Sequence, residues 1–102
     1  MKEVRILTEE EIKNVLSDLQ KWKLETEDGI PKLVRSLEFE DFIQAFGYLT
    51  KIALLSETMN HHAEIKNAYN RVRLSLYTHT EKNITNLDRD FCYAAEKYLS
   101  SK

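Results

Sequence analysis

The sequence predicts an α+β domain: a four-stranded antiparallel sheet with three helices packed on one face, in the order α-β-β-α-β-β-α, the third strand very short. Two observations predict it. Three stretches, starting near Thr8, Asp41 and Thr85, carry apolar residues at helical spacing. Between them lie short stretches that alternate apolar and polar residues, separated by turn-forming residues.

The first helix opens at Thr8, with Glu11 at the capping-box distance. Ile12, Val15, Leu16 and Leu19 make its apolar stripe, and Val4, Ile6 and Leu7 of the lead-in 1–7 are available to pack. Trp22 and Leu24 alternate with Lys23 and Glu25, which reads as a first strand. Glu27, Asp28 and Gly29 form a turn, and residues 32–39 a second strand with Leu33, Leu37 and Phe39 on one face and Arg35 interrupting it. The hairpin loop is expected to exceed two residues.

The second helix covers about residues 41–58. It has two neighbouring apolar stripes: Phe42, Phe46, Leu49 and Ala53, then Ala45, Tyr48, Ile52, Leu55 and Met59. A helix lying on a sheet needs only one, so the other is expected to meet a second copy. Gly47 is expected to mark a close crossing. Residues 64–68 form the very short third strand, and Asn67 and Asn70 favour a turn or bulge after it. In the fourth strand, 71–78, Val72, Leu74 and Leu76 face one side, and Arg71, Arg73, Ser75, Tyr77 and His79 the other. Thr85 and Asp88 have capping-box spacing at the start of the last helix, whose inner stripe is Leu87, Phe91, Ala94, Ala95 and Tyr98.

A length of 102 residues suits one domain, 1–102, with one modest core. Fifteen basic and seventeen acidic residues give a net charge of −2, which argues against direct nucleic-acid binding. Cys92 is the only cysteine, so no internal disulfide or thiolate cluster can form, and it reads as a buried apolar residue. No apolar run is long enough for a bilayer, and the start MKEVRILTEEE is not expected to act as a signal peptide. A soluble cytoplasmic protein is expected, with the nucleus as a second location.

All three histidines lie between Glu57 and Asp88. His61 and His62 follow the second helix, and His79 ends the clearest strand. Imidazole can both give and take a proton near neutral pH, so these positions read as one acid–base site. A metal is the competing reading. Adjacent histidines point apart on regular backbone, however, and the sequence has neither an HExxH motif nor a neighbouring thiolate. No metal or other cofactor is expected.

Glu57, His61-His62-Ala63, Tyr69, His79 and Asp88, at their spacings, resemble the signature of the pterin-4a-carbinolamine dehydratases. Trp22, the runs 39–42 and 45–48, NAYNRV at 67–72 and Thr78-His79 extend the resemblance over roughly residues 8–99. It departs at Ala63, where the family usually has proline, and at Ile65, where mammalian members have tryptophan. Loss of proline leaves the histidine loop freer, and loss of the indole changes pterin packing.

The resemblance implies dehydration of 4a-hydroxytetrahydrobiopterin, or a related pterin, to quinonoid dihydropterin and water, regenerating the cofactor of aromatic amino acid hydroxylases. It implies His62, His79 and His61 as catalytic residues. The first two transfer protons, while His61 mainly holds the ring and its hydroxyl. Glu57, Tyr69 and Asp88 join them in binding pterin, Asp88 also as a cap and Tyr69 as part of the pocket wall. It further implies a homodimer or homotetramer. Mammalian members also serve as dimerisation cofactors of a homeodomain transcription factor, and a transcription-factor partner enters by that analogy alone.

Overall fold

The computed structural model describes residues 3–99; the first two residues of the lead-in, and residues 100–102, lie outside them. Thr8 caps the first helix, α1 (Glu9–Asp18), accepting from the Glu11 amide while the Glu11 carboxylate accepts from the Thr8 amide. The chain then forms β1 (Trp22–Glu27), β2 (Ile30–Glu38), α2 (Phe42–Met59), β3 (Glu64–Ala68), β4 (Arg71–Leu76) and α3 (Asn86–Lys97). The strands pair antiparallel in the order β1-β2-β4-β3. The predicted α+β architecture is therefore the one observed.

The β1–β2 loop corrects its predicted length. Glu27 pairs with Ile30, leaving two loop residues, Asp28 and Gly29, both at positive φ (53° and 78°). That is the conformation a tight hairpin needs to match the strand twist, and Asp-Gly supplies it at little steric cost. Arg35, which interrupts the apolar face of β2, has a partner on that face. Its guanidinium bonds both oxygens of Glu96 at 3.2 Å, and the Trp22 indole N–H donates to the same carboxylate at 2.9 Å. Trp22 and Arg35 are paired across the strands, so one α3 carboxylate satisfies both polar groups.

The core lies between sheet and helices. Leu33, Val72, Leu74 and Leu76 from the strands meet Val15, Ala45, Tyr48, Ile52, Phe91, Cys92 and Ala95, all nearly or fully buried. Burial pushes the Cys92 thiol well up, which suits a structural rather than reactive sulfur. The two stripes of α2 separate clearly. Ala45, Tyr48, Ile52 and Leu55 face the core, so a charge there would disturb the protomer itself. Phe42, Ile43, Phe46 and Leu54 stay exposed, Ile43 by 80 %. A Cβ added at Gly47 would meet nothing within 4 Å, so no close crossing occurs there within the protomer.

Electrostatics at the start of α1 give a pH prediction. Arg5 grips both Glu11 oxygens at 2.8 Å, and with the Thr8 amide this lowers the Glu11 carboxyl from 4.5 to about 2. A depressed carboxyl stabilises the fold above its unfolded value, and the contribution fades as pH falls toward the folded one. Urea titrations between pH 5 and pH 2 should therefore show Glu11→Gln losing less stability on acidification than the parent (pH range about that of the shift). Equal acid sensitivity of the two proteins would contradict it.

Candidate active site

Three elements deliver the predicted site residues. The end of α2 carries Glu57, and Asn60 stops the helix in the left-handed conformation (φ 52°), turning the chain so that His61 and His62 leave in an irregular link to β3. β4 delivers Tyr77, Thr78 and His79 just beyond its last paired residue. The N-terminus of α3 delivers Asp88, where Thr85 and Asp88 form the predicted capping box.

Asp88 is the centre of this arrangement and is fully buried. Its Oδ1 lies 2.6 Å from His61 Nε2. Its Oδ2 accepts from the Thr78 hydroxyl and the Thr85 amide, both at 2.8 Å. A carboxylate that accepts on both oxygens leaves His61 Nε2 as the donor, so in the neutral ring Nδ1 is the acceptor. The His61 side chain is 11 % exposed and stands edge-on to Phe91, with ring centroids 6.3 Å apart. One side chain therefore fixes the position and the tautomer of His61. A cleft of about 320 Å³ opens beside it, lined by Thr58, Met59, His61 and Leu87.

His62 points elsewhere. Its Nε2 lies 2.9 Å from Glu57 Oε2, and both side chains are well exposed, at 65 % and 75 %. The functional reading of Glu57 thus gains a partner, for the carboxylate meets an imidazole despite its poor place at a helix C-terminus. His79 is exposed, with Nδ1 3.1 Å from the Tyr77 hydroxyl. It directly follows Thr78, so the Asp88 network fastens the chain segments that carry His61 and His79 to the same buried group.

Tyr69 does not join the histidines. Ala68 pairs with Arg71, which leaves Tyr69 in the hairpin turn, 67 % exposed and at φ 55°. At about 3.3 Å per residue, the length of β4 separates it from His79 by roughly 20 Å or more. The larger cavity, about 480 Å³ and lined in part by Lys66, Arg71 and Arg73, is likewise at that far end of the sheet and contains no histidine. Thr78, Thr85 and Tyr77 went unassigned in the sequence, although each holds a predicted site residue. The capping-box spacing pointed to Thr85. The period-2 face shared by residues 77 and 79 pointed to Tyr77.

Ala63 packs against the core, so the residue in the family's proline position still anchors the histidine link. Ile65, opposite Leu74, is 40 % exposed. Among the described residues, no group of three or more His, Cys, Asp or Glu side chains is arranged to hold a metal ion. Among the same residues, no helix is long and apolar enough to cross a membrane.

A family model described as pterin 4 alpha carbinolamine dehydratase matches residues 5–98. The chain belongs to the pterin-4a-carbinolamine dehydratase family. A Brucella ovis protein provisionally named pterin-4-alpha-carbinolamine dehydratase is 44 % identical over 82 residues, which is 80 % of this chain and 82 % of the relative. A Brucella abortus protein of the same name matches equally. Among solved structures, the transcriptional coactivator/pterin dehydratase of Brucella melitensis is 39 % identical, with a TM-score of 0.81 over 91 % of this chain and 97 % of that one. A pterin dehydratase-like protein identified as a RuBisCO assembly factor in the alpha-carboxysome shares the dehydratase fold at 22 % identity and a TM-score of 0.67, covering 80 % of this chain and 93 % of that one.

Proposed function

We propose that the chain is a hydro-lyase that removes water from a 4a-hydroxytetrahydropterin, with His62 and His79 transferring protons and His61 holding the substrate. Membership of the dehydratase family carries the reaction class. The observation that supports the site is the buried Asp88 network, which locks His61 in one tautomer beside a cleft. The reaction needs an acid for the departing C4a hydroxyl and a base for the N5 proton. A positioned imidazole serves either role near neutral pH. His61, with its Nδ1 left as an acceptor, can receive a pterin N–H or the hydroxyl. Glu57 orients His62 as an exposed partner. Biopterin is one substrate among those with the same bicyclic head, and the cytoplasm is the place of action. A stopped assay with chemically generated 4a-hydroxytetrahydropterin tests the activity. Turnover well above the spontaneous rate is expected, and a rate equal to it would refute the reading.

The exposed face of α2 supports a homo-oligomer as the working form. Phe42, Ile43, Phe46 and Leu54 are apolar and uncovered along one side of an 18-residue helix. A small domain gains stability by burying such a face. Sedimentation at micromolar concentration should show a dimer or tetramer, and Ile43→Glu should dissociate it while leaving the helical signal intact. Gln20→Glu, on an exposed residue outside α2, should change nothing. A parent protein that sediments as a monomer would contradict the assembly.

The same face favours a second reading, an interaction module for a transcription factor. If that reading holds, a stable heteropartner competes with self-association and still binds when the histidines are replaced.

A further inference from the structure

Lys32 and Tyr77 lie on the sheet face away from the core helices, clustered with His79, and the acid–base reading gives neither of them a role. The last β2–β4 pair is Leu33 with Leu76, so the register places Lys32 beside Tyr77 one step further on. The Lys32 ammonium stands 4.8 Å from the centre of the Tyr77 ring. Its side chain is only 9 % exposed and is held by Glu27 of the neighbouring β1 at 2.6 Å and by Glu64 of β3, on the far side of β4, at 3.1 Å. A cation over an aromatic face attracts the ring. Two carboxylates fix this cation, so it restrains the ring under it. Tyr77 in turn meets His79. Their ring centroids are 4.4 Å apart, and the hydroxyl lies 3.1 Å from Nδ1.

We propose that Tyr77, restrained by Lys32, is a positioning residue for His79: its hydroxyl occupies Nδ1 and leaves Nε2 as the nitrogen that exchanges a proton with substrate. The inference rests on the dehydratase reading and deepens it. The chemistry favours a hydroxyl at this place. A proton-transferring imidazole passes through neutral and charged forms in each turnover. A hydroxyl oxygen can accept from Nδ1–H of both the neutral and the charged ring, so the proton is gained and lost at Nε2 alone. The ring keeps one orientation through both states. With Nδ1–H donating to the Tyr77 oxygen, the neutral ring keeps its proton on Nδ1 and presents the Nε2 lone pair to substrate, because the bond at one nitrogen sets the tautomer at the other.

Tyr77→Phe tests this, since it removes only the hydroxyl and keeps the ring under Lys32. In the assembled protein kcat should fall about three- to tenfold, as expected for one neutral hydrogen bond, with KM unchanged. Nitrogen-15 spectra of the His79 side chain should show neutral parent protein protonated at Nδ1, and the variant averaging over both tautomers. A parent ring that carries its proton on Nε2, or a variant with parental spectrum and kcat, would overturn the proposal while leaving the dehydratase reading in place. If the parent itself fails to accelerate dehydration, that reading falls, and the spectra still decide whether Tyr77 orients His79.

Discussion

His79→Ala should lower pterin dehydration by about 10²–10⁴-fold, the usual cost of a lost acid–base group, and His62→Ala should do likewise. Neither replacement should harm the fold. His79 is exposed, and its bond to the Tyr77 hydroxyl is a surface contact. His62 and Glu57 form an exposed pair, of a kind worth about 0–1 kcal/mol. Circular dichroism and sedimentation should therefore match the parent. His61→Ala is a different experiment, because it withdraws a donor from the buried Asp88 and a ring from Phe91. It should raise KM more than it lowers kcat, with a measurable loss of stability. The His62→Ala, His79→Ala double variant should fall by less than the product of the single losses, since both transfers belong to one elimination. If both single variants fold and dehydrate the pterin at the parental rate, the site assignment is wrong. The exposed face of α2 would then be the remaining functional feature.

The elements of the fold were legible because their signals are local. Thr8 with Glu11 and Thr85 with Asp88 marked two helix starts to the residue, and the alternation from Val72 to Leu76 marked the central strand. The hairpin loop at Asp28-Gly29 was misjudged because the strand pattern was read from Lys32, although Ile30 and Pro31 already pair with β1. The choice between the two α2 stripes needed the sheet, for both are equally apolar in sequence. The histidines and Asp88 were legible as a spaced set, but what holds each of them was not. Thr78 is an ordinary strand residue until the bridge from Thr78 to Asn83 and the start of α3 turn its hydroxyl toward Asp88. That Tyr69 lies apart from the histidines was hidden for the same geometrical reason: spacing along the chain does not reveal which end of a strand a turn occupies. Lys32 was only the first residue of the predicted second strand, and the cross-strand register is what brings Glu27, Glu64 and Tyr77 around it.

Asp88→Asn should separate the binding role of His61 from its role in the fold. The buried carboxylate accepts from three fixed partners: His61 Nε2–H, the Thr78 hydroxyl and the Thr85 amide. Alanine would strand all of them. Each unsatisfied buried donor costs about 1–3 kcal/mol, a large share of the roughly 5–15 kcal/mol that holds a domain together. Asp88→Ala should accordingly unfold at much lower urea concentration, or fail to accumulate. Asparagine keeps one acceptor for the Thr85 amide but sets an N–H₂ group against His61. Two donors cannot face each other, so His61 must move its proton to Nδ1 and accept at Nε2. The fold then survives with a smaller loss, about 0.3–1 kcal/mol of it from removing a negative charge at the first turn of α3. The nitrogen left for substrate changes from acceptor to donor, and a pterin N–H or hydroxyl proton meets another proton there. KM should rise about tenfold to a hundredfold, matching the cost of a reversed buried hydrogen bond, while kcat falls less. Nitrogen-15 spectra of the His61 side chain should report the tautomer change directly. A variant with parental KM and an unchanged His61 tautomer would show that Asp88 serves only as the cap of α3.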